Sequence, residues 1–216
     1  MLIAGVDEAG RGPMFGPMVL GITVIEKADE EFFQELGVKD SKVLTESTRD
    51  QLEPQIKKRV KEFALTSIQA VELDALMIRY SLNEIEAMKI AQALNSLKNK
   101  PEIVFIDSPD PLASNFAERI KKYISFNCIL RSEHKADQNH VVCSAASVLA
   151  KVERDRQIKA LHKIHGNFGS GYPSDENTVN YLRNWLKKNN KVPEFCRVKW
   201  ESTQRLLTEK MQTKLF

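Results

Sequence analysis

Apolar residues fall into short strand-like runs over the first 130 residues and into helical spacing after that. Leu2–Val6 is an apolar run that stops at Asp7. Met18–Ile25 is a second, rich in β-formers, and follows the turn-prone stretch GRGPMFGP. Leu52, Ile56 and Val60 repeat at helical spacing, and Pro54 puts the start of that helix near itself. Phe63–Ala70 alternates loosely and predicts a third strand. Ser81 with Glu84 makes a capping-box pattern, opening a helix through Leu82, Ile85, Met88, Leu94 and Leu97. Ile103–Ile106 reads as a buried strand ending at Asp107. Asp110 is placed to cap a helix that carries Pro111 at its first position and runs to about Tyr123. Phe126–Leu130 predicts a fifth strand. A long helical pattern from about Val141 to His165 stops at Gly166, and GNFGSGYPSD is a loop by composition. Ser174 or Asp175 starts another helix, and a last helix-like stretch follows Trp200.

This order predicts an α/β fold with one mixed sheet flanked by helices. The first three strands form an antiparallel meander and the rest are parallel. The expected division is a sheet core over 1–138 and a helical portion over 139–216 that completes the core and forms a C-terminal subdomain. A chain of 216 residues can bury a core without disulfides or a structural metal. With 42% hydrophobic and 28% charged residues it is not a disordered chain. It has no apolar run long enough for a membrane span, and MLIAGVDEAGRG lacks the basic start of a signal peptide. A cytoplasmic monomer is expected. Cys128, Cys143 and Cys196 show no CxxC spacing and read as free thiols, the first two packed.

Charge changes the picture more. The net charge of +3 hides a split: residues 1–150 sum to −4 and residues 151–216 to +7. Such asymmetry marks either a polyanion partner or simply solvated helix faces.

Candidate chemistry gathers at strand ends. Asp7 and Glu8 follow the first strand, Asp107 the fourth, and Asp137 lies between the fifth strand and the long helix. Ligands of open α/β sheets bind beyond the carboxyl ends of strands. If the first and fourth strands are parallel neighbours, Asp7 and Asp107 meet. Carboxylates so gathered repel unless cations neutralise them, and all-oxygen ligation selects Mg²⁺ or Mn²⁺. Two-metal phosphodiester hydrolysis is one use of such a cluster; plain loop and cap aspartates are the other reading. Gly10, Arg11 and Gly12 allow close backbone approach to a ligand, or make a turn into the second strand. They lack the third glycine of a dinucleotide fingerprint. Lys151 and Arg154 share a face of the long helix, where they line a duplex groove or are merely solvated. His162 and His165 lack zinc-type companions and read as surface residues. His134 beside Asp137 is a secondary candidate for moving a proton. No Ser-His-Asp arrangement is visible.

Five motifs, in order along nearly the whole chain, resemble the type 2 ribonuclease H (ribonuclease HII) family. They are DEAGRGPMFGP at 7–17, DSK at 40–42, IDS at 106–108, KADQNHVVCSAASVLAKVERD at 135–155 and GSGYPSD at 169–175. The resemblance is closest to the archaeal single-chain branch. It implies a ribonuclease H-like five-stranded sheet in the order 3-2-1-4-5 with a C-terminal helical extension. It implies an endonuclease that cuts RNA in RNA/DNA hybrids. It further implies incision 5′ of single ribonucleotides embedded in duplex DNA, leaving 3′-hydroxyl and 5′-phosphate ends. Asp7, Glu8, Asp107 and Asp137 match the family's metal-binding acids, which hold two Mg²⁺ or Mn²⁺ ions. Gly10, Arg11 and Gly12 match the element that contacts the ribose 2′-hydroxyl, and Tyr172 the tyrosine that stacks on the sugar at the RNA–DNA junction. Lys42 and Ser144 match phosphate-contacting positions. The tail MQTKLF, with Gln212, Leu215 and Phe216, is a truncated form of a sliding-clamp motif or a frayed end. Two rival readings stand beside this one: an actin-like or kinase-like phosphotransferase, and a non-catalytic hybrid-binding module.

Overall fold

The computed structural model describes residues 1–38 and 44–212. Lys42 with the rest of DSK, and the tail residues Leu215 and Phe216, lie outside the described residues. By contacts the chain divides into two compact units, each made of several segments. The first comprises Met1–Ala9, Val19–Ser67 and Ser81–Glu153; the second comprises Gly10–Met18, Ile68–Tyr80 and Arg154–Phe216.

The first unit holds a five-stranded sheet in the order β3-β2-β1-β4-β5. Its strands are β1 (Leu2–Ala9), β2 (Met18–Glu26), β3 (Glu62–Ile68), β4 (Ile103–Asp107) and β5 (Ile129–Glu133). β1 is antiparallel to β2 and parallel to β4, and β4 is parallel to β5. The sheet is therefore mixed, in the expected order. Nearly every residue of β2 is buried, as a strand covered on both faces requires.

The helices of this unit are α1 (Glu30–Glu35), α2 (Glu46–Arg59), α4 (Leu82–Ser96), α5 (Ala113–Lys121), α6 (Ala136–Asn139) and the first part of α7 (Val141–His165). The second unit holds α3 (Ala70–Leu76), the rest of α7, α8 (Glu176–Asn189) and α9 (Glu201–Gln212). Among the described residues no helix is long and apolar enough to cross a membrane.

Several elements differ from the sequence expectation, each for a local reason. α2 starts well before Pro54, because Thr45 Oγ1 accepts the Thr48 N–H at 3.2 Å and caps it. β5 is displaced from 126–130 to 129–133 because pairing with β4 sets its register, Ile103 opposite Ile129 and Asp107 opposite Glu133. Asp110 does not cap α5. Its carboxylate instead accepts from Arg119 Nε at 2.8 Å and from Asn83 Nδ2. The third strand ends at Ile68, and Ala70 opens α3, a helix too short to leave a periodic signal.

The core of the first unit lies between the sheet and α7. Gly5 of β1 faces the backbone of Val142 and Cys143, and Gly21 of β2 faces the Ala146 carbonyl, so closely that an added Cβ would clash at either place. Thr23 Oγ1 donates to the Val142 carbonyl at 2.8 Å. The small residues of CSAASVLA thus serve close helix–strand approach. The second unit has its own core, an aromatic cluster in which Phe15, Phe168, Tyr181 and Phe195 meet mostly edge to face.

Candidate active site

Asp107 is the last residue of β4, whereas Asp7 and Glu8 lie inside β1, which runs on to Ala9 because it stays paired with β2 past the apolar run. The last recorded β1–β4 pair is Val6 with Ile106, so the two aspartates are the next residues along. Side chains alternate along a strand, so Asp7 shares the face of Ile3 and Gly5, the face that meets α7. Two strand residues advance about 6.6 Å and four helix residues about 6 Å. Gly5 opposite Cys143 therefore brings Asp7 opposite Ser147, whose side chain hydrogen-bonds the Asp7 carboxylate. Asp7 Oδ1 also accepts the Glu8 N–H at 2.8 Å. Glu8 itself is half-buried.

Asp107 Oδ1 accepts the Ala136 N–H at 2.9 Å, which ties the start of α6 to the end of β4. The chain enters α6 through Lys135 in the left-handed region, φ 57°. Asp137 follows, fully buried, within α6. Ser144 is also buried. Its Oγ donates to the Asp137 carbonyl and its N–H to the His140 carbonyl at 3.1 Å. In this structure Ser144 holds the backbone at Asp137, its hydroxyl and N–H both donating inside the protein. His140 secures the same junction: its ring stacks on Phe105 at 3.9 Å and its Nε2 lies 3.1 Å from Glu133 Oε2. His134 is exposed and turned to the Pro111 carbonyl at 3.3 Å.

Electrostatics link the acids. Burial first, and then the charges of Glu8 and Asp107, hold the Asp7 carboxyl well above the usual carboxylate range, against the hydrogen bond from Ser147. The Cys143 thiol beneath them is pushed up, chiefly by burial, with Asp7, Asp107 and Asp137 all adding to the effect. Among the described residues no three His, Cys, Asp or Glu side chains are drawn together tightly enough to hold one metal ion. The arrangement is a set of coupled carboxylates rather than a closed coordination shell. Its donor chemistry still fits a hard divalent cation: the donors are all oxygens, and a positive ion would relieve the repulsion that disfavours ionised Asp7.

The second unit gathers a different set. Gly10, at φ 82°, packs against the Arg154 side chain and lies so near the Pro17 carbonyl that no side chain fits. Gly12 is exposed and faces the Tyr172 ring, an added Cβ lying 3.5 Å from it. Tyr172 is 39% exposed, and the Arg154 guanidinium sits 5.4 Å from its ring centre. The structure thus brings the GRG turn and Tyr172 together. Their loop is braced: Met14 N–H donates to the Gly171 carbonyl at 2.7 Å, and Gly171 N–H to Thr178 Oγ1 at 2.9 Å. Asp175 caps α8, accepting the Asn177 N–H at 2.9 Å and, across the loop, the Ser170 N–H at 2.6 Å.

Arg154 is buried rather than lining a surface groove with Lys151, because it fills the space between Gly10 and Tyr172. His162 and His165 are likewise not plain surface residues. They are half-buried against the aromatic cluster, and His162 Nε2 lies 2.9 Å from the Gly169 carbonyl. Sequence reasoning missed Ser147, one turn beyond the Ser144 it chose, and Arg197. Arg197 is fully buried and donates to the carbonyls of Gly10, Arg11 and Gly16. In the sequence Arg197 shares the segment FCRVKW with Lys199, and nothing there separates the buried charge from the exposed one.

The chain is similar to known proteins over nearly its whole length. The family model described as Ribonuclease HII matches residues 4–203. Ribonuclease HII of Pyrococcus abyssi is 41% identical over 206 residues, covering 95% of this chain and 91% of that protein. The crystal structure of ribonuclease H2 from Pyrococcus horikoshii OT3 superposes with a TM-score of 0.92 at 39% identity, covering 98% of this chain and 100% of that one. The Archaeoglobus fulgidus RNase HII solved in a PCNA:RNase HII complex superposes with a TM-score of 0.84 at 35% identity, covering 93% and 96%.

Proposed function

The chain belongs to the ribonuclease HII family, endonucleases that cut the RNA of RNA/DNA hybrids, and from that premise we propose that it also incises duplex DNA on the 5′ side of single embedded ribonucleotides. The products are a 3′-hydroxyl and a 5′-phosphate. Family membership sets aside both a kinase-like phosphotransferase and a non-catalytic binding module. The observation that carries the reading is Asp7: a buried carboxylate on β1 beside the end of β4, its proton affinity raised by burial and by Glu8 and Asp107.

Enzymes of this family depend on a divalent metal. In our reading Asp7, Glu8, Asp107 and Asp137 hold two such ions, Mg²⁺ or Mn²⁺. Bound there, the pair supplies Lewis acidity for the attacking water and the departing oxygen. The protein's own residues do the rest. Ser147 and the Glu8 N–H orient Asp7, Ala136 N–H orients Asp107, and Ser144 holds the backbone at Asp137. Gly10, Arg11 and Gly12 contact the scissile ribose, where the 2′-hydroxyl is what distinguishes RNA from DNA. The Tyr172 ring offers a hydroxyl no partner, so it suits the deoxyribose on the other side of the junction. Lys42 contacts a backbone phosphate.

The Archaeoglobus fulgidus relative was solved with PCNA. By extension, the tail from Gln212 to Phe216 recruits a sliding clamp. Loss of clamp binding on Phe216→Ala tests that extension, and unchanged binding removes it.

The main test is a labelled duplex with one ribonucleotide, incubated with Mg²⁺ or Mn²⁺, with its product ends mapped. One cut 5′ of the ribonucleotide is expected, and none with Asp7→Asn. No cut at the ribonucleotide in a preparation that cleaves continuous hybrid, or full activity of Asp7→Asn, overturns the proposal.

A further inference from the structure

Arg197 is 0% exposed, yet it carries a guanidinium. Its Nε donates to the Gly16 carbonyl at 3.0 Å, its Nη1 to the Arg11 carbonyl at 3.1 Å and its Nη2 to the Gly10 carbonyl at 2.7 Å. It also lies 4.7 Å from the centre of the Trp200 ring. Burying such a cation is costly, and this one is satisfied by backbone carbonyls rather than by a carboxylate. Its segment is firmly held. Arg197 N–H donates to the Met14 carbonyl and Gly16 N–H to the Phe195 carbonyl, both at 2.8 Å, while Phe15 and Cys196 form a bridge. Asp74 of α3 accepts the next two amides, Val198 at 2.7 Å and Lys199 at 2.8 Å.

The consequence follows from peptide planarity. In a trans peptide the C=O of one residue and the N–H of the next point in opposite directions. Drawing the Gly10 and Arg11 carbonyls onto one guanidinium therefore turns the Arg11 and Gly12 N–H groups away from it, fixing two consecutive amide donors. The third carbonyl, Gly16, precedes Pro17, which has no N–H, so it anchors the far end of the turn without adding a donor. Gly10 cannot hold this geometry with a side chain, since its φ is 82° and Pro17 and Arg154 crowd it.

We propose that Arg197 is a positioning residue for ribose recognition, its rigid fork setting the Gly10–Arg11–Gly12 backbone so that the Arg11 and Gly12 amides present themselves to the 2′-hydroxyl. This rests on the reading of that turn as the ribose contact. A lysine cannot replace it, because an ammonium is a point charge without the planar fork that spans three carbonyls.

The experiment compares wild type, R197K and R197Q on two duplexes that differ only at the scissile ribose, which carries 2′-hydroxyl or 2′-fluoro. Single-turnover cleavage rates, duplex affinity and unfolding midpoints are measured for each. Wild type is expected to lose about tenfold or more on the fluoro duplex, the effect of one well-placed hydrogen bond. R197K should lose about tenfold on the hydroxyl duplex and little on the fluoro duplex, so that its ratio falls toward one while affinity changes by less than about threefold. R197Q should show the same pattern, more strongly. Equal losses on both duplexes mean that Arg197 only supports the fold, which overturns the proposal. A wild type indifferent to the fluoro change instead removes the ribose reading itself, and the role of Arg197 with it. Independently of any variant, the Arg11 and Gly12 amide resonances should respond to the hydroxyl duplex more than to the fluoro one. Identical responses also overturn the proposal.

Discussion

At the scale of the residue, Asp7 combines two opposed demands. Its place on the α7-facing side of β1 buries it, and its neighbours Glu8 and Asp107 disfavour its charge. Its carboxyl binds a proton more tightly folded than unfolded. From the unfolded value, about 4, up to the raised folded value, the folded state holds a proton the unfolded state lacks. Stability therefore falls as pH rises through that interval and stays lower above it. In divalent-free buffer Asp7→Asn should melt at least about 2 °C higher than wild type at neutral pH and show a shallower decline with pH. Mn²⁺ should raise the wild-type midpoint more than that of the variant. A variant that melts lower than wild type throughout would contradict this account. Tyr172 carries a prediction about selectivity. Tyr172→Ala should reduce cleavage at a single embedded ribonucleotide more than cleavage of continuous hybrid, and equal losses would remove its junction role. Legibility at this scale followed exposure to chemistry. The acids stood out because they interrupt apolar runs. Arg197 did not, because a lone arginine near the C-terminus reads as surface until its three carbonyl partners are seen.

At the scale of the element, α7 organises the first unit, and its bounds were clear from periodicity alone. Its approach to the sheet depends on two glycines. Gly21→Ala would drive a methyl group into the Ala146 carbonyl, a backbone atom that cannot rotate aside. Denaturant unfolding should show a loss of about 2 kcal/mol or more, with the unfolding slope unchanged. A loss within about 0.5 kcal/mol would mean that α7 shifts at little cost. The loop of Tyr172 depends on α8 in a similar way. Thr178→Val keeps the shape of the side chain but leaves the Phe168 carbonyl and the Gly171 N–H without their buried partner. A cost of about 1–3 kcal/mol is expected, seen first as faster hydrogen exchange over 169–172. Elements poorly read from sequence were those set by their neighbours. β5 takes its register from β4, and α3 and α6 are too short to show a period.

At the scale of the whole molecule, the weak net charge of +3 is the sum of an acidic stretch and a basic one, residues 1–150 at −4 and 151–216 at +7. Affinity for hybrid should therefore be moderate and should fall as salt rises. The log–log slope is set by the number of phosphates contacted, about 0.9 per phosphate on B-form duplex. Divalent ions at the acids should strengthen binding, and Asp7→Asn should weaken that response. A binding constant insensitive to salt between roughly 50 and 200 mM would exclude phosphate contacts as its main source.

Periodicity and strand-end acids were properties of the sequence itself, since alternation and helical spacing are written in consecutive residues. They sufficed for a mixed sheet, a long α7 and the four candidate carboxylates. Tertiary structure alone decided what depends on residues far apart in the chain. It set Ser147 one helical turn past Ser144 against Asp7, turned Ser144 inward, and sank Arg154 beneath Tyr172. It also placed Arg197 under a turn 181–187 residues earlier. Hydrogen bonds and buried charges of this kind answer to distance in space, and the order of residues along the chain does not contain that distance.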